Sequence, residues 1–139
     1  MAASSPAERQ AALIEWYGII PDPQERLAAV IARKTKLPEV PEAERTPENL
    51  VQGCQSRVWI TGRLEEGRCR LAMSAESAMV RGLVAVLCEV YDDATPEAVA
   101  AFEPELLEKL GISRNLTPTR LNGMAAVRGW LAALARRLG

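Results

Sequence analysis

The sequence predicts an α+β fold, a small antiparallel sheet packed against helices. Three observations lead there. Residues 56–63 and 68–73 alternate apolar and polar side chains, the period of a half-buried strand. Residues 74–91 carry apolar side chains at the three- and four-residue spacing of a helix. Two other segments open with Asp22-Pro23 and Thr95-Pro96, a cap followed by proline at the first helical position. A lone hairpin is marginal, so the two strands need helices or a further strand against them. The 139 residues suit one domain, 1–139, large enough to bury a core without staples.

The first helix spans residues 5–18. Ser4 or Ser5 caps it, Pro6 fits its first turn and Gly18 ends it, while Leu13, Ile14, Trp16 and Tyr17 form an apolar end. The second spans residues 22–36, opened by Asp22-Pro23, with Leu27, Val30 and Ile31 on one face for core packing. Residues 37–46 form a proline- and glutamate-rich connector. Pro38, Pro41 and Pro47 disfavour helix and strand there, and its glutamates read as solvated charge or as a face for a basic partner.

In the first strand Val58 and Ile60 point one way, and Arg57, Trp59 and Thr61 the other. A turn over residues 64–67 leads to the return strand, with Cys69, Leu71 and Met73 facing inward. Residues 74–91 form the most apolar helix, with Val80, Leu83, Val84, Leu87 and Tyr91 in its stripe, and lie centrally against the sheet. Thr95-Pro96 and Pro104 each begin a short helix, the second ended by Gly111. Thr117-Pro118-Thr119-Arg120 is a loop or a helix entry before the last helix, one face of which carries Met124, Val127, Leu131, Leu134 and Leu138. Arg136 and Arg137 suit the negative end of its dipole.

The bulk numbers exclude several classes. Net charge is -1 with 25% charged residues and no basic patch, which argues against nucleic acid as a partner. There is no apolar run of membrane-spanning length, and the start of the chain lacks the basic and apolar stretches of a secretory signal, so a cytoplasmic location is expected. Three cysteines with no Cys-x-x-Cys pair make a disulfide framework improbable. Histidine is absent, which removes Cys-His catalysis and every His-containing metal site.

One stretch stands out for chemistry, Val51-Gln52-Gly53-Cys54-Gln55-Ser56-Arg57-Val58-Trp59-Ile60. Gly53 permits backbone angles that other residues avoid, so Cys54 sits on a tight turn feeding the first strand. Such a turn can present a thiol on a loop with a fixed base. A free cysteine is also commonly a small buried hydrophobe, and local sequence leaves both readings open for Cys54. Cys69, on the inward strand face, and Cys88, beside the apolar stripe, read as core.

Gln52-Gly53-Cys54-Gln55-Ser56 followed by Val58-Trp59 resembles the signature of the SufE family, sulfur acceptors that work with cysteine desulfurases. Leu37-Pro38, Arg45-Thr46-Pro47-Glu48-Asn49, Val80-Arg81-Gly82-Leu83 and Leu116-Thr117-Pro118-Thr119-Arg120 each resemble family segments, in the family's order. The resemblance implies an α+β fold with about three antiparallel strands covered on one side by helices, related to the IscU-type scaffold. The third strand would lie beside Cys54 or after Met73.

The implied chemistry is persulfide transfer. A pyridoxal phosphate desulfurase holds sulfur as a persulfide on its own cysteine, and Cys54, as thiolate, attacks the outer sulfur. No cofactor of this chain's own is expected; the pyridoxal phosphate belongs to the SufS-like or CsdA-like partner. The sulfur would pass to a downstream iron-sulfur scaffold or another acceptor. By the same resemblance the Cys54 loop tucks its thiol away from solvent and swings out on docking. Gln52, Gly53, Gln55, Ser56, Arg57 and Arg120 would contact the desulfurase, and Glu76, where relatives carry aspartate, bears on restraint of the loop. Two other classes compete. An iron-sulfur scaffold would need Cys54, Cys69 and Cys88 to converge as ligands. An independent cysteine hydrolase would need the missing histidine.

Overall fold

The computed structural model describes residues 5–139. Helix α1, Pro6–Gly18, starts at a capping box in which Ser5 Oγ accepts the Glu8 N–H and the Glu8 carboxylate accepts the Ser5 N–H. Ser4, the other expected cap, lies outside the described residues. Tyr17 is buried and Leu13 and Ile14 pack on the core, but Trp16 is 67% exposed, so the apolar end is not all core.

Helix α2, Pro23–Ala32, opens at the Asp22 cap as expected and stops four residues early. The extended conformation of Arg33 (ψ 129°) ends it, and the Arg33 guanidinium binds Glu89 and the Tyr17 hydroxyl instead. The connector that follows holds two single 3-10 turns, Glu42–Glu44 and Pro47–Asn49, and its glutamates are exposed. It is pinned at one point to the sheet: Met73 N–H donates to Pro38 O, and the buried Ser74 Oγ accepts the Val40 N–H while donating to the Glu39 carboxylate.

Strands β1, Val58–Glu65, and β2, Arg68–Ala75, pair antiparallel with Ile60 opposite Met73 and Leu64 opposite Cys69. The turn is two residues, Glu66 and Gly67, both at positive φ, which matches the right-handed twist of the strands. The predicted inward residues Val58, Ile60, Cys69, Leu71 and Met73 are all buried. Among the described residues the sheet has two strands rather than about three. The segment before Cys54 contributes only a bridge of Leu50 to Trp59, because Pro47 and the turn at Gln52 and Gly53 flank it too closely for a ladder. On the far edge of β2 a second bridge joins Cys69 to Ala94.

Helix α3, Ala78–Tyr91, begins at the Ser77 cap, four residues after the expected start. Residues 74 and 75 stay in β2, where the Ser74 hydroxyl is committed to the connector. Ten residues of α3 are buried, and this helix is the centre of the core. At Gly82 it meets α2 so closely that a Cβ would sit 2.6 Å from Ile31 Cα. Short helices α4, Pro96–Ala101, and α5, Leu106–Lys109, lead to α6, Pro118–Leu138; α5 starts two residues after the expected Pro104, because Glu105 stays outside the helix with its N–H donated to Gln10 Oε1 of α1. Thr95 caps α4 through its hydroxyl, as its cap-and-proline start predicts, and Thr117 caps α6 in the same way, which resolves residues 117–120 as a helix entry and not a loop. The α6 face of Met124, Val127, Leu131 and Leu134 is buried, Leu138 packs at its margin, and Trp130 Nε1–H donates to Ile60 O on β1. Arg128 ties α6 to α4 through the Val99 and Ala100 carbonyls. The sheet and α6 thereby hold the Cys54 loop between them.

Candidate functional site: a thiol between a loop and the start of α6

The Cys54 loop is closed at its base by Val51 N–H donating to Val58 O across 2.8 Å, with both residues buried. Gly53 sits at φ +96°, and a Cβ there would meet the Ala126 Cβ at 3.0 Å. Only glycine lets the chain take this turn and lie so close to α6. Beyond the turn, Glu76 N–H donates to Arg57 O, and Arg57 and Glu76 form an exposed ion pair at 3.7 Å. Glu76 thus reaches the loop from the start of α3.

Cys54 is half-buried, while Cys69 and Cys88 are buried. The Cys54 thiol donates to Gly123 O on α6 at 3.5 Å. Burial pushes the Cys54 thiol above its ordinary pKa, so the resting site favours the thiol and not the thiolate that transfer chemistry needs. Burial also raises Cys69 and Cys88, in both cases with help from nearby carboxylates.

A cavity of about 290 Å³ opens beside the sulfur, lined by Gln55, Ser56, Val80, Thr117, Thr119, Arg120, Gly123 and Met124 as well as Cys54. Of the residues the sequence singles out, Cys54, Gln55, Ser56 and Arg120 meet here. Gln52, Gly53 and Arg57 do not line the cavity: Gln52 is exposed and donates to Leu50 O, Gly53 shapes the turn, and Arg57 holds Glu76. Val80, Thr119, Gly123 and Met124 were not legible as site residues, because their distance from Cys54 along the chain hides their contact with it. A glycine inside α6 at position 123 is a signal that something packs closely there, and a Cβ at that position would lie 3.6 Å from Cys54 Sγ.

A larger open groove of about 1020 Å³ lies elsewhere, walled by charged residues such as Arg63, Arg70, Glu39 and Asp93, and contains no cysteine. Among the described residues no group of three or more His, Cys, Asp or Glu side chains is placed to hold a metal ion. The three thiols therefore do not converge as a ligand set. No described helix is long and apolar enough to cross a membrane.

Fold and site together define an α+β domain that keeps one accessible thiol on a loop tucked under a helix, without histidine. The SufE family model, an Fe-S metabolism associated domain, matches residues 11–135, and the chain belongs to this family. A solved structure described as the solution structure of a hypothetical protein from Thermus thermophilus superposes with a TM-score of 0.77. It is 23% identical, and the match covers 98% of each chain. That likeness speaks to the fold alone.

Proposed function

We propose that the protein accepts sulfur from a pyridoxal phosphate cysteine desulfurase, holds it as a persulfide on Cys54, and passes it to iron-sulfur assembly. The observation that carries this reading is the contrast among the three cysteines: Cys54 alone is partly exposed and borders a cavity, on the family's Gly53-Cys54 turn. In the step itself the Cys54 thiolate attacks the outer sulfur of the partner's persulfide. A new S–S bond forms, the partner's S–S bond breaks, and the partner's cysteine leaves as thiolate.

The tucked resting state bears on timing. Burial holds the proton on Cys54, and the contact with Gly123 O gives that proton an acceptor. Docking that draws the loop off α6 would return the sulfur to water and lower its pKa toward the ordinary thiol value. Gln52, Gln55 and Arg57 are exposed on the same loop and are the side chains a docking desulfurase would meet first. The desulfurase would be stimulated because its persulfide is emptied at each cycle. The cytoplasm is the setting in which this exchange is expected.

Mass spectrometry after incubation with a desulfurase and free cysteine tests the reading. The expected result is a gain of one or more sulfur atoms mapped to Cys54, abolished in Cys54→Ser with the fold retained. Sulfur on Cys69 or Cys88, or none at all with every SufS-like or CsdA-like partner, would overturn it.

A further inference from the structure

We propose that the cavity beside Cys54 binds small thiols that carry a carboxylate, and that such a thiol can take the outer sulfur from Cys54 while the loop stays closed. The transfer half of this inference rests on Cys54 carrying a persulfide, as proposed above; the binding half does not.

Size comes first. Pockets for drug-sized ligands start at roughly 300 Å³. A cavity of about 290 Å³ with the sulfur in its wall suits a smaller guest. Charge comes next. Arg120 lines the cavity, and no Asp or Glu does. Among the described residues the Arg120 guanidinium makes no hydrogen bond or ion pair; only its backbone N–H is engaged, by Thr117 Oγ1. Arg26, Arg33 and Arg128 are committed to carbonyls or carboxylates, and Arg114 and Arg136, which like Arg120 make no side-chain bond among the described residues, are exposed and line no cavity with Cys54. A guanidinium with its donors unused is matched by a carboxylate, which accepts two of its N–H groups in parallel. The hydroxyls of Ser56 and Thr119 and the amide of Gln55 add polar partners, while Val80 and Met124 give the guest's methylenes an apolar wall.

The exchange balances without any further reagent. The thiolate of the small molecule attacks the outer sulfur of the Cys54 persulfide and forms a new S–S bond. The bond between that sulfur and Cys54 Sγ breaks, and Cys54 leaves as thiolate and takes a proton from solvent. The small molecule departs as a persulfide, and the transferred sulfur keeps its oxidation state.

Two measurements test the proposal. In the first, the unloaded protein is alkylated with iodoacetate and with iodoacetamide, and the rate ratio at Cys54 is compared with that of a free model thiol. Cys69 and Cys88 are buried, so Cys54 is the thiol that reports. A preference for iodoacetate about five- to ten-fold above the model thiol is expected, the worth of a charge-assisted contact. It should vanish in Arg120→Gln, whose circular dichroism and thermal unfolding serve as the check on folding. In the second, protein persulfidated at Cys54 is discharged with 3-mercaptopropionate or 2-mercaptoethanol, with rates corrected for thiolate fraction. The carboxylate thiol should be faster, and equal to the neutral one in Arg120→Gln. An iodoacetate ratio equal to that of the model thiol overturns the binding site, and equal discharge by the two thiols overturns the transfer. If the alkylation preference holds but no desulfurase loads Cys54, the carboxylate site stands and the sulfur-acceptor reading falls.

Discussion

The Cys54 thiol and the Gly123 carbonyl oxygen are 3.5 Å apart, joining a loop to a helix 69 residues further along the chain. The contact sets the resting state of the site: a proton-bearing sulfur under α6, beside a small cavity of mixed polar and apolar lining.

The pH dependence of Cys54 reactivity follows from that burial. The native pKa is raised, so the thiolate is scarcer at neutral pH than in an unfolded chain. The linked stability is fully present below the ordinary thiol value and is lost as pH climbs from there through the raised one. Alkylation of Cys54 by iodoacetamide should show a midpoint above that of an unperturbed thiol, which titrates at about 8.5. Denaturant should bring the midpoint down to that range. A native midpoint at or below that of a free thiol would contradict the tucked arrangement.

The pair of Arg57 and Glu76 ties the loop to the start of α3, but both side chains are largely exposed, 69% and 58%. Solvent screening keeps such a pair to about 0–1 kcal/mol. Glu76→Ala and Arg57→Ala should each lower global stability by less than about 1 kcal/mol, with a coupling in the double-mutant cycle that shrinks as salt is added. Alkylation of Cys54 should be modestly faster in each. A cycle with no coupling at low salt would remove the pair from any role in holding the loop.

Two glycines offer a matched comparison. At Gly82 a Cβ would press on the Ile31 backbone, which has no flexible end to give way. Gly82→Ala should cost about 1–3 kcal/mol by separating α2 from α3. At Gly129 of α6 a Cβ meets nothing within 4 Å, and Gly129→Ala should stabilise by about 0.5–1 kcal/mol through helix propensity. Urea unfolding of both variants reads the difference directly, and equal midpoints would contradict the α2–α3 packing.

The buried cysteines separate structure from chemistry. Cys69→Ala and Cys88→Ala remove sulfur atoms from the core and should each cost on the order of 1 kcal/mol. Sulfur loading of Cys54, read by mass spectrometry, should be unchanged in both. Loss of loading in either folded variant would assign that thiol a part in the chemistry.

Much of this was visible in the residues. The Asp22 and Thr95 caps were legible because an N-cap bond spans two or three residues and proline marks the turn beside it. The strand faces were legible because burial repeats every second residue. The errors fell where distant segments intervene. Residue 74 reads as the start of the apolar helix, yet the connector at Val40 and Glu39 claims the Ser74 hydroxyl and holds it in β2. Arg33 looks like helix, yet Glu89 draws it out. The expected third strand shrinks to the bridge between Leu50 and Trp59.

By itself, the sequence determined most element types and the inward strand faces, since each depends on neighbours a few residues apart, while Cys54 was singled out by a family resemblance spread over several segments. Tertiary structure alone decided that Cys54 rests as a thiol beneath Gly123, that Arg120 shares its cavity, and that Glu76 grips Arg57. Desolvation and ion pairing depend on what lies within a few ångströms in space, and here those neighbours come from α3 and α6, far along the chain from the loop they surround.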